Sequence, residues 1–466
     1  MRIPQTPKSV SQLIAEVGAA PDRLVHLMGA LSDVPQDPRY LHWNDVRRRT
    51  PPEGLSPEEW WLLMKMARRP NRSIPLLDKQ GSPFRFTIPD KVAAQLHQID
   101  LGLGSSGSLP DAVTQPSSRN EYVISTLIQE AITSSQLEGA VTTREVAKEM
   151  LRSGRLPRDK SESMILNNYR TMQRIMEVRK SVLTPELVFE LHRLVTAETL
   201  DQPDGAGRFR RADERICVTD EEGTVFHDPP AAEQLPERMK AMCDFANRLT
   251  PDYFVHPVVR AVLLHFWLAY DHPFIDGNGR TARALFYWSM LNQEFQLFEF
   301  ISISQIILQA PVRYATAFLQ VETDENDLTY FILHQTAVIE GAIKALHDYV
   351  AHRKTELAAA ERQLRGIQGL NHRQQGLLAN ALRSAGARYT IEGHKRTHGV
   401  VYQTARADLL DLERRQLLRM AKVGRSMVFR PVEDLAQALE AQGGSKEPIA
   451  EESPASSAQI EFGSLD

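Results

Sequence analysis

His272-Pro273-Phe274-Ile275-Asp276-Gly277-Asn278-Gly279-Arg280-Thr281-Ala282-Arg283 is the stretch on which the reading of this chain turns. It joins two apolar runs of helical spacing, Pro257 to Tyr270 and Arg280 to Met290, and so reads as a tight turn between two helices. Gly277 and Gly279 admit positive φ and let backbone N–H groups approach a ligand with no Cβ in the way. Those amides, with the start of the following helix, make a cradle for an anion. Arg280 and Arg283 lie three apart in that helix's first turns, where cations oppose the helix dipole; an anion bound between them removes the conflict. Asp276 is a hard oxygen ligand suited to Mg²⁺ shared with phosphate oxygens. His272 can take a proton near neutral pH. Together these are the parts of a phosphate-transfer site.

Around this loop the chain is mostly helical from Arg119 to about His352. Val123, Ile124, Leu127, Ile128, Ala131 and Ile132 recur at spacings of three and four, and Pro185 to Leu200 and Leu235 to Leu249 repeat the signal. The interruption is Arg215 to Thr219, then Asp220-Glu221-Glu222-Gly223, then Thr224 to His227. Two β-branched runs about an acidic turn ending in Gly predict a β-hairpin, stopped by Pro229 and Pro230. The helix from Asn120 ends in Thr133-Ser134-Ser135-Gln136-Leu137-Glu138-Gly139. Glu138 falls where the helix dipole disfavours a negative charge, so it calls for a cationic partner, and Gly139 supplies a left-handed stop.

Composition bounds the rest. The chain has 466 residues, 42% apolar and 24% charged, with 55 Lys+Arg against 59 Asp+Glu and a formal net charge of −4. That length is about two to four domains, and the charge excludes a wholly basic nucleic-acid coat or an acidic disordered chain. Cys217 and Cys243 have no metal-type spacing, which suits a reducing, cytoplasmic setting. Met1 to Ala20 has no basic stretch followed by an apolar run, and Ala261 to Tyr270, the longest apolar run, falls far short of the roughly 20 residues a membrane span needs.

The loop matches at every specified position the signature His-Pro-Phe-x-(Asp/Glu)-Gly-Asn-Gly-Arg-x-x-Arg, and from Arg119 to about Ala345 the chain resembles the Fic family. The resemblance implies a mainly α fold, a Fic-type helical bundle with a β-hairpin flap, and transfer of AMP from ATP to a Ser, Thr or Tyr hydroxyl of a target protein. Carried over by position, His272 would be the base and Asp276 would hold Mg²⁺ between the α- and β-phosphates. Gly277, Asn278 and Gly279 would orient the phosphates, Arg280 and Arg283 would grip the β- and γ-phosphates, and Tyr314 would meet the adenine. Gly207-Arg208-Phe209-Arg210 matches the element that precedes the family's target-binding flap. Ser134, Glu138 and Gly139 fit the family's inhibitory motif on a helix spanning 120–139, which implies a Glu138–Arg283 pair that brakes the enzyme. Some family members use this glutamate to hydrolyse the AMP–protein bond, so de-AMPylation is a second implied activity.

The organisation expected is an N-terminal, mostly helical domain with a linker over 1–118, a catalytic domain over 119–352, a helical connector over 353–370, a winged helix over 371–435 and a disordered tail over 436–466. From Arg365 to Arg430 there are 13 Lys+Arg against 4 Asp+Glu. Helices over Arg373–Ala385, Glu392–His398 and Gln403–Arg414, then a hairpin about Val423-Gly424-Arg425, predict the winged helix, with Gln403 and Arg406 set to reach DNA. The partners implied are a protein acceptor, DNA, and a second copy of the chain in a homodimer. Rival readings are a DNA-binding regulator whose core senses nucleotide and a different phosphotransferase of the same fold.

Overall fold

The computed structural model describes residues 2–18, 21–30, 40–68, 72–104, 116–153, 155–219, 222–367, 369–383, 387–423 and 426–443. The chain divides into two compact units, one of Met1–Thr114 with Arg119–Tyr349, the other of Gln115–Ser118 with Val350–Asp466. Among the described residues no helix is long and apolar enough to cross a membrane.

The first unit is a helical bundle built about the hairpin of Pro257–Asp271 and Asn278–Asn292. Nearly every side chain of both helices is buried, including Trp267, Phe286, Tyr287 and Trp288. A helix buried on all sides sits at the centre of a bundle. Lys160–Val178, Pro185–Thr196 and Leu235–Ala246 pack about this pair. Their starts are set locally: Asp159 accepts the Glu162 amide, Thr184 accepts the Leu187 amide ahead of Pro185, and His256 accepts the Val258 amide ahead of Pro257. The expected flap is the antiparallel pair Val218–Thr219 and Val225–His227; residues 220 and 221 of its turn lie outside the described residues.

The sequence reading divides the chain at residue 118, whereas residues before Thr114 pack into the same unit as the bundle. The antiparallel pair Arg72–Leu77 and Pro83–Phe86, absent from the sequence expectation, is the reason. Phe84 packs edge-on to Tyr270 at 4.9 Å between centroids, and Arg85 exchanges backbone bonds with Asn326 and Leu328. Beside it lies a buried polar seam: Lys65 Nζ meets Asp324 at 2.8 Å, and the Tyr40 hydroxyl donates to Asp327 at 2.8 Å. Gly102 to Gly104, which open a Gly- and Ser-rich stretch in the expected linker, close the helix Asp90–Gly104; residues 105–115 lie outside the described residues.

The second unit holds helices His372–Arg383, Ile391–His398 and Tyr402–Arg414, followed by strands Leu418–Val423 and Ser426–Pro431. A short strand, Tyr389–Thr390, pairs with the far side of Ser426–Pro431 to make a three-stranded sheet. The assignment of 436–466 to a disordered tail is corrected over its first part: Leu435–Gly443 is a helix, because Leu435 and Leu439, one turn apart, bury in the core with Leu409, Leu412 and Phe429. Residues 444–466 lie outside the described residues.

Candidate active site

The helix Pro257–Asp271 stops because His272 adopts a left-handed backbone, φ 45° and ψ 57°, with its amide still bonded to the Leu268 carbonyl. Asn278 closes the turn that follows: its Oδ1 accepts the Phe274 amide at 3.0 Å and its Nδ2 donates to the Phe274 carbonyl at 2.8 Å. Expected to orient phosphates, this buried side chain shapes the loop. Phe274 stacks on His192, ring centroids 3.7 Å apart. His192 accepts the Gly207 amide at Nδ1, so its proton sits on Nε2 and is donated to the Asp276 carbonyl at 2.9 Å. Gly277 has φ +79°, and a Cβ there would fall 2.6 Å from Thr196 Cγ2, so glycine is required.

His272 Nδ1 lies 3.2 Å from the Ala269 carbonyl oxygen. A carbonyl only accepts, so Nδ1 carries the proton and Nε2 keeps the lone pair a base needs. Burial pushes the imidazole down to about 4, so it is neutral at pH 7. Arg210 ties the segment before the flap to this loop: its Nε donates to the His272 carbonyl at 2.9 Å, its amide to the Pro273 carbonyl at 2.9 Å, and Nη2 to the Pro230 carbonyl. Asp271 is held by Arg238 at 2.6 and 2.8 Å and by the Trp267 indole at 3.0 Å. It therefore anchors the helix end.

A cavity of about 290 Å³ opens over the loop, lined by His272, Ile275 and Asp276 through Gly279 on one side, and by Arg215, Ile216, Cys217 and Glu138 on the other. Cys217 is exposed, its thiol 3.6 Å from Asp228. Half of the Asp276 side-chain surface is exposed, and its cationic partner among the described residues, Arg280 Nη2, stands 3.4 Å away. Arg280 is itself buried, donating to the Val195 carbonyl at 3.1 Å while its Nε has no partner. Burial draws that guanidinium below its ordinary pKa.

Arg283 is wrapped by the preceding helix, which runs Pro116–Gln136 rather than 120–139. The Ala140 amide bonds to the Ser135 carbonyl and the Gly139 amide to that of Gln136, with Gly139 at φ +89°. This Schellman stop makes Glu138 the C-cap residue. Arg283 donates to the Ser134 hydroxyl at 2.9 Å, the Ser134 carbonyl at 2.9 Å and Glu138 Oε1 at 2.8 Å. A Cβ on Gly279 would fall 2.2 Å from the same Oε1, so the Glu138 carboxylate rests on the first turn of Asn278–Asn292, where a helix favours an anion. Burial pushes the Glu138 carboxyl up, but Arg283 and Arg280 outweigh it and hold it below the ordinary value.

Tyr314 does not line this cavity; its hydroxyl pairs with His265 Nε2 at 2.8 Å, and burial, opposed by Arg283, pushes the phenol up to about 12. Gln403 and Arg406 are exposed on the first turns of Tyr402–Arg414 in the second unit. Sequence reasoning missed His192, although Leu191, His192 and Val195 mark a buried helical stripe in which a lone histidine stands out. Burial also pushes His42, His192 and His334 down to about 4. Between about pH 6.5 and 4 the unfolded chain binds protons that these native histidines and His272 do not. Stability then falls with falling pH by about 1.4 kcal/mol per pH unit for each. The melting temperature should drop steeply from about pH 7 to about pH 5, and a flat profile would contradict the buried neutral state.

Residues 182–290 match the Fic/DOC family. The protein adenylyltransferase Fic of Nematostella vectensis is 40% identical over 103 residues, which is 22% of this chain and 22% of that protein. That of Drosophila willistoni is 37% identical over 108 residues, 23% of this chain and 20% of that protein. The chain thus spans about a fifth of the length of the curated relatives it matches. The solved structure of a Fic family protein from Desulfovibrio desulfuricans G20 superposes with a TM-score of 0.51 at 18% identity, over 74% of this chain and 97% of that one, a likeness of fold. The buried helical hairpin and its glycine loop define a Fic-type bundle. The match to the Fic/DOC family is carried by residues 182–290, less than a quarter of the chain.

Proposed function

We propose that this protein is an autoinhibited adenylyltransferase that moves AMP from ATP to a Ser, Thr or Tyr hydroxyl of a protein, itself included. The observation that carries the reading is the His272 ring: protonated on Nδ1 by its bond to Ala269, neutral, and on the wall of a cavity floored by Gly277 and Gly279. In this reading Nε2 takes the acceptor's proton as its oxygen bonds to the α-phosphorus. The bond from that phosphorus to the bridging oxygen breaks, and pyrophosphate leaves. The loop amides, the helix start and Arg280 with Arg283 hold the phosphate charge, so the protein's work is positioning and charge stabilisation. The flap strand beyond Cys217 is exposed and offers an edge on which an acceptor segment can be held.

The donor set suits Mg²⁺. Asp276 is a half-exposed carboxylate on the cavity wall, and among the described residues no cluster of three or more His, Cys, Asp or Glu competes with it. One carboxylate plus phosphate oxygens and water is a usual magnesium environment. Bound there, the ion would offset charge on the phosphates. Glu138 is the brake in this reading, occupying Arg283 and the helix start with its own carboxylate. Two free cysteines are in keeping with a cytoplasmic site of action. Mass spectrometry of the Glu138→Gly chain incubated with ATP and Mg²⁺ should find AMP on hydroxyl side chains; unmodified protein throughout would refute the reading. A hydroxyl-AMP bond that disappears faster with the wild-type chain than without it would establish the reverse reaction.

A second reading concerns the separate C-terminal unit, which we propose binds duplex DNA as a winged helix. Its support is the run of three helices and a hairpin, with Gln403 and Arg406 exposed on the last helix and Arg419, Lys422 and Arg430 exposed on the hairpin. Arg406→Ala is expected to weaken duplex binding by up to roughly tenfold and, if Arg406 contacts phosphate, to flatten the salt dependence by about one unit of slope. Titration of a labelled duplex at several salt concentrations checks this, and salt-independent or absent binding would favour protein docking instead.

A further inference from the structure

On the helix that Glu138 caps, eight residues ahead of it, Glu130 is buried to 1% exposure, and its carboxylate accepts four hydrogen bonds. Oε2 accepts the Tyr287 hydroxyl at 2.8 Å, the Ser302 hydroxyl at 2.7 Å and the Ser304 amide at 3.2 Å, while Oε1 accepts the Ser304 hydroxyl. The hydroxyls of Tyr287 and Ser302 are aimed at it by their other bonds: Tyr287 accepts the Ile303 amide at 2.9 Å, and Ser302 accepts the Gln305 amide at 3.2 Å. None of these four residues lines the cavity over the signature loop.

Their placement gives the cluster a meaning. Glu130 and Ser134 stand one turn apart on one face of the helix, Glu138 follows at its C-cap, and Arg283 and Tyr287 stand one turn apart on Asn278–Asn292. The two segments meet as a ladder: Glu130 on Tyr287, Ser134 on Arg283, Glu138 on Arg283. Elsewhere Ile128, Ala131 and Ile132 bury against Ala147, Met150 and Ile165, and the further polar bonds are long single ones, Asn168 to the Ala131 carbonyl at 3.4 Å and Gln136 to the Thr142 carbonyl at 3.3 Å. Apolar contacts are non-directional and tolerate sliding, whereas a shift of one residue along a helix moves each group about 1.5 Å and turns it about 100°. A carboxylate held by donors from four directions resists both motions.

We propose that Glu130 is a positioning residue, a buried latch that fixes the register of this helix and so delivers Glu138 to Arg283; this rests on the inhibitory reading of Glu138. The test is made in the full chain with Glu130→Ala and Glu130→Gln, each alone and combined with Glu138→Gly. It is read by label transferred from α-labelled ATP and by hydrogen exchange of the amides in residues 123–138. Glu130→Ala is expected to speed exchange in that segment and to raise labelling at least about tenfold. In the Glu138→Gly background, where no brake remains, it should change labelling little. Glu130→Gln should show a smaller rise, because its amide can donate to the Ser304 hydroxyl while its oxygen keeps the other donors. Tyr287→Phe, which removes one donor and keeps the ring, should shift both readouts in the same direction. Exchange at the wild-type rate in Glu130→Ala would overturn the latch, and so would an equal fall in labelling in both backgrounds, which marks general loss of structure. Should Glu138→Gly take no label while Glu130→Ala exchanges faster, the transferase reading fails and the latch stands.

Discussion

Glu138→Gly is expected to raise AMP incorporation into protein by roughly 10²-fold over the wild-type chain, the size of shift that follows when one strong charged contact controls a two-state equilibrium. The Glu138 carboxylate is paired with Arg283 at 2.8 Å and would collide with any side chain at position 279. It therefore occupies both the guanidinium and the helix start that, in the proposed reaction, the nucleotide's terminal phosphates would need. Glycine removes the carboxylate and fits the C-cap, so the fold should tolerate the change. Initial rates with α-labelled ATP measure the effect. An unchanged rate in a variant that melts near the wild-type temperature would remove Glu138 from the account.

His272→Ala, placed in the Glu138→Gly chain, should lower the rate by roughly 10²- to 10⁴-fold, the usual contribution of a positioned general base. Nucleotide affinity should be nearly unchanged, since the groups proposed to hold the phosphates are backbone amides and arginines. The left-handed backbone at position 272 complicates the comparison, because alanine is strained there. His272→Asn is the better-folded control: asparagine tolerates that conformation and cannot act as the base. Both variants should be equally inactive. Retained transfer in either would move the proton-accepting role to another group.

The loop was legible in the sequence because its chemistry is local. Twelve consecutive residues carry a turn, an anion cradle and a base, and the structure brings His272, Asp276, Gly277, Asn278 and Gly279 to one cavity wall. The contact of Ser134 and Glu138 with Arg283 bridges about 145 residues of chain, and it was expected only through the resemblance, since periodicity shows an acid wanting a cation without saying which. What escaped was long-range and held by ordinary residues. His192 reads as one polar member of an apolar stripe, and nothing local says that Gly207 and Asp276 bracket its ring. The strands Arg72–Leu77 and Pro83–Phe86 are short and contain prolines, so they carry weak strand signals, yet their pairing next to Asn326 and Leu328 merges the N-terminal residues with the bundle. Leu435 to Gly443 follows the same logic in reverse: a segment assigned almost whole to the tail is helical because two leucines find a core.

Two parallel reactions of the Glu138→Gly chain with Mg²⁺, one with ATP labelled on the α-phosphate and one with the label on the γ-phosphate, test the central claim most directly. Attack at the α-phosphorus predicts that the first label stays on protein and the second departs with pyrophosphate. Protein carrying the γ-label, or neither label, would contradict it.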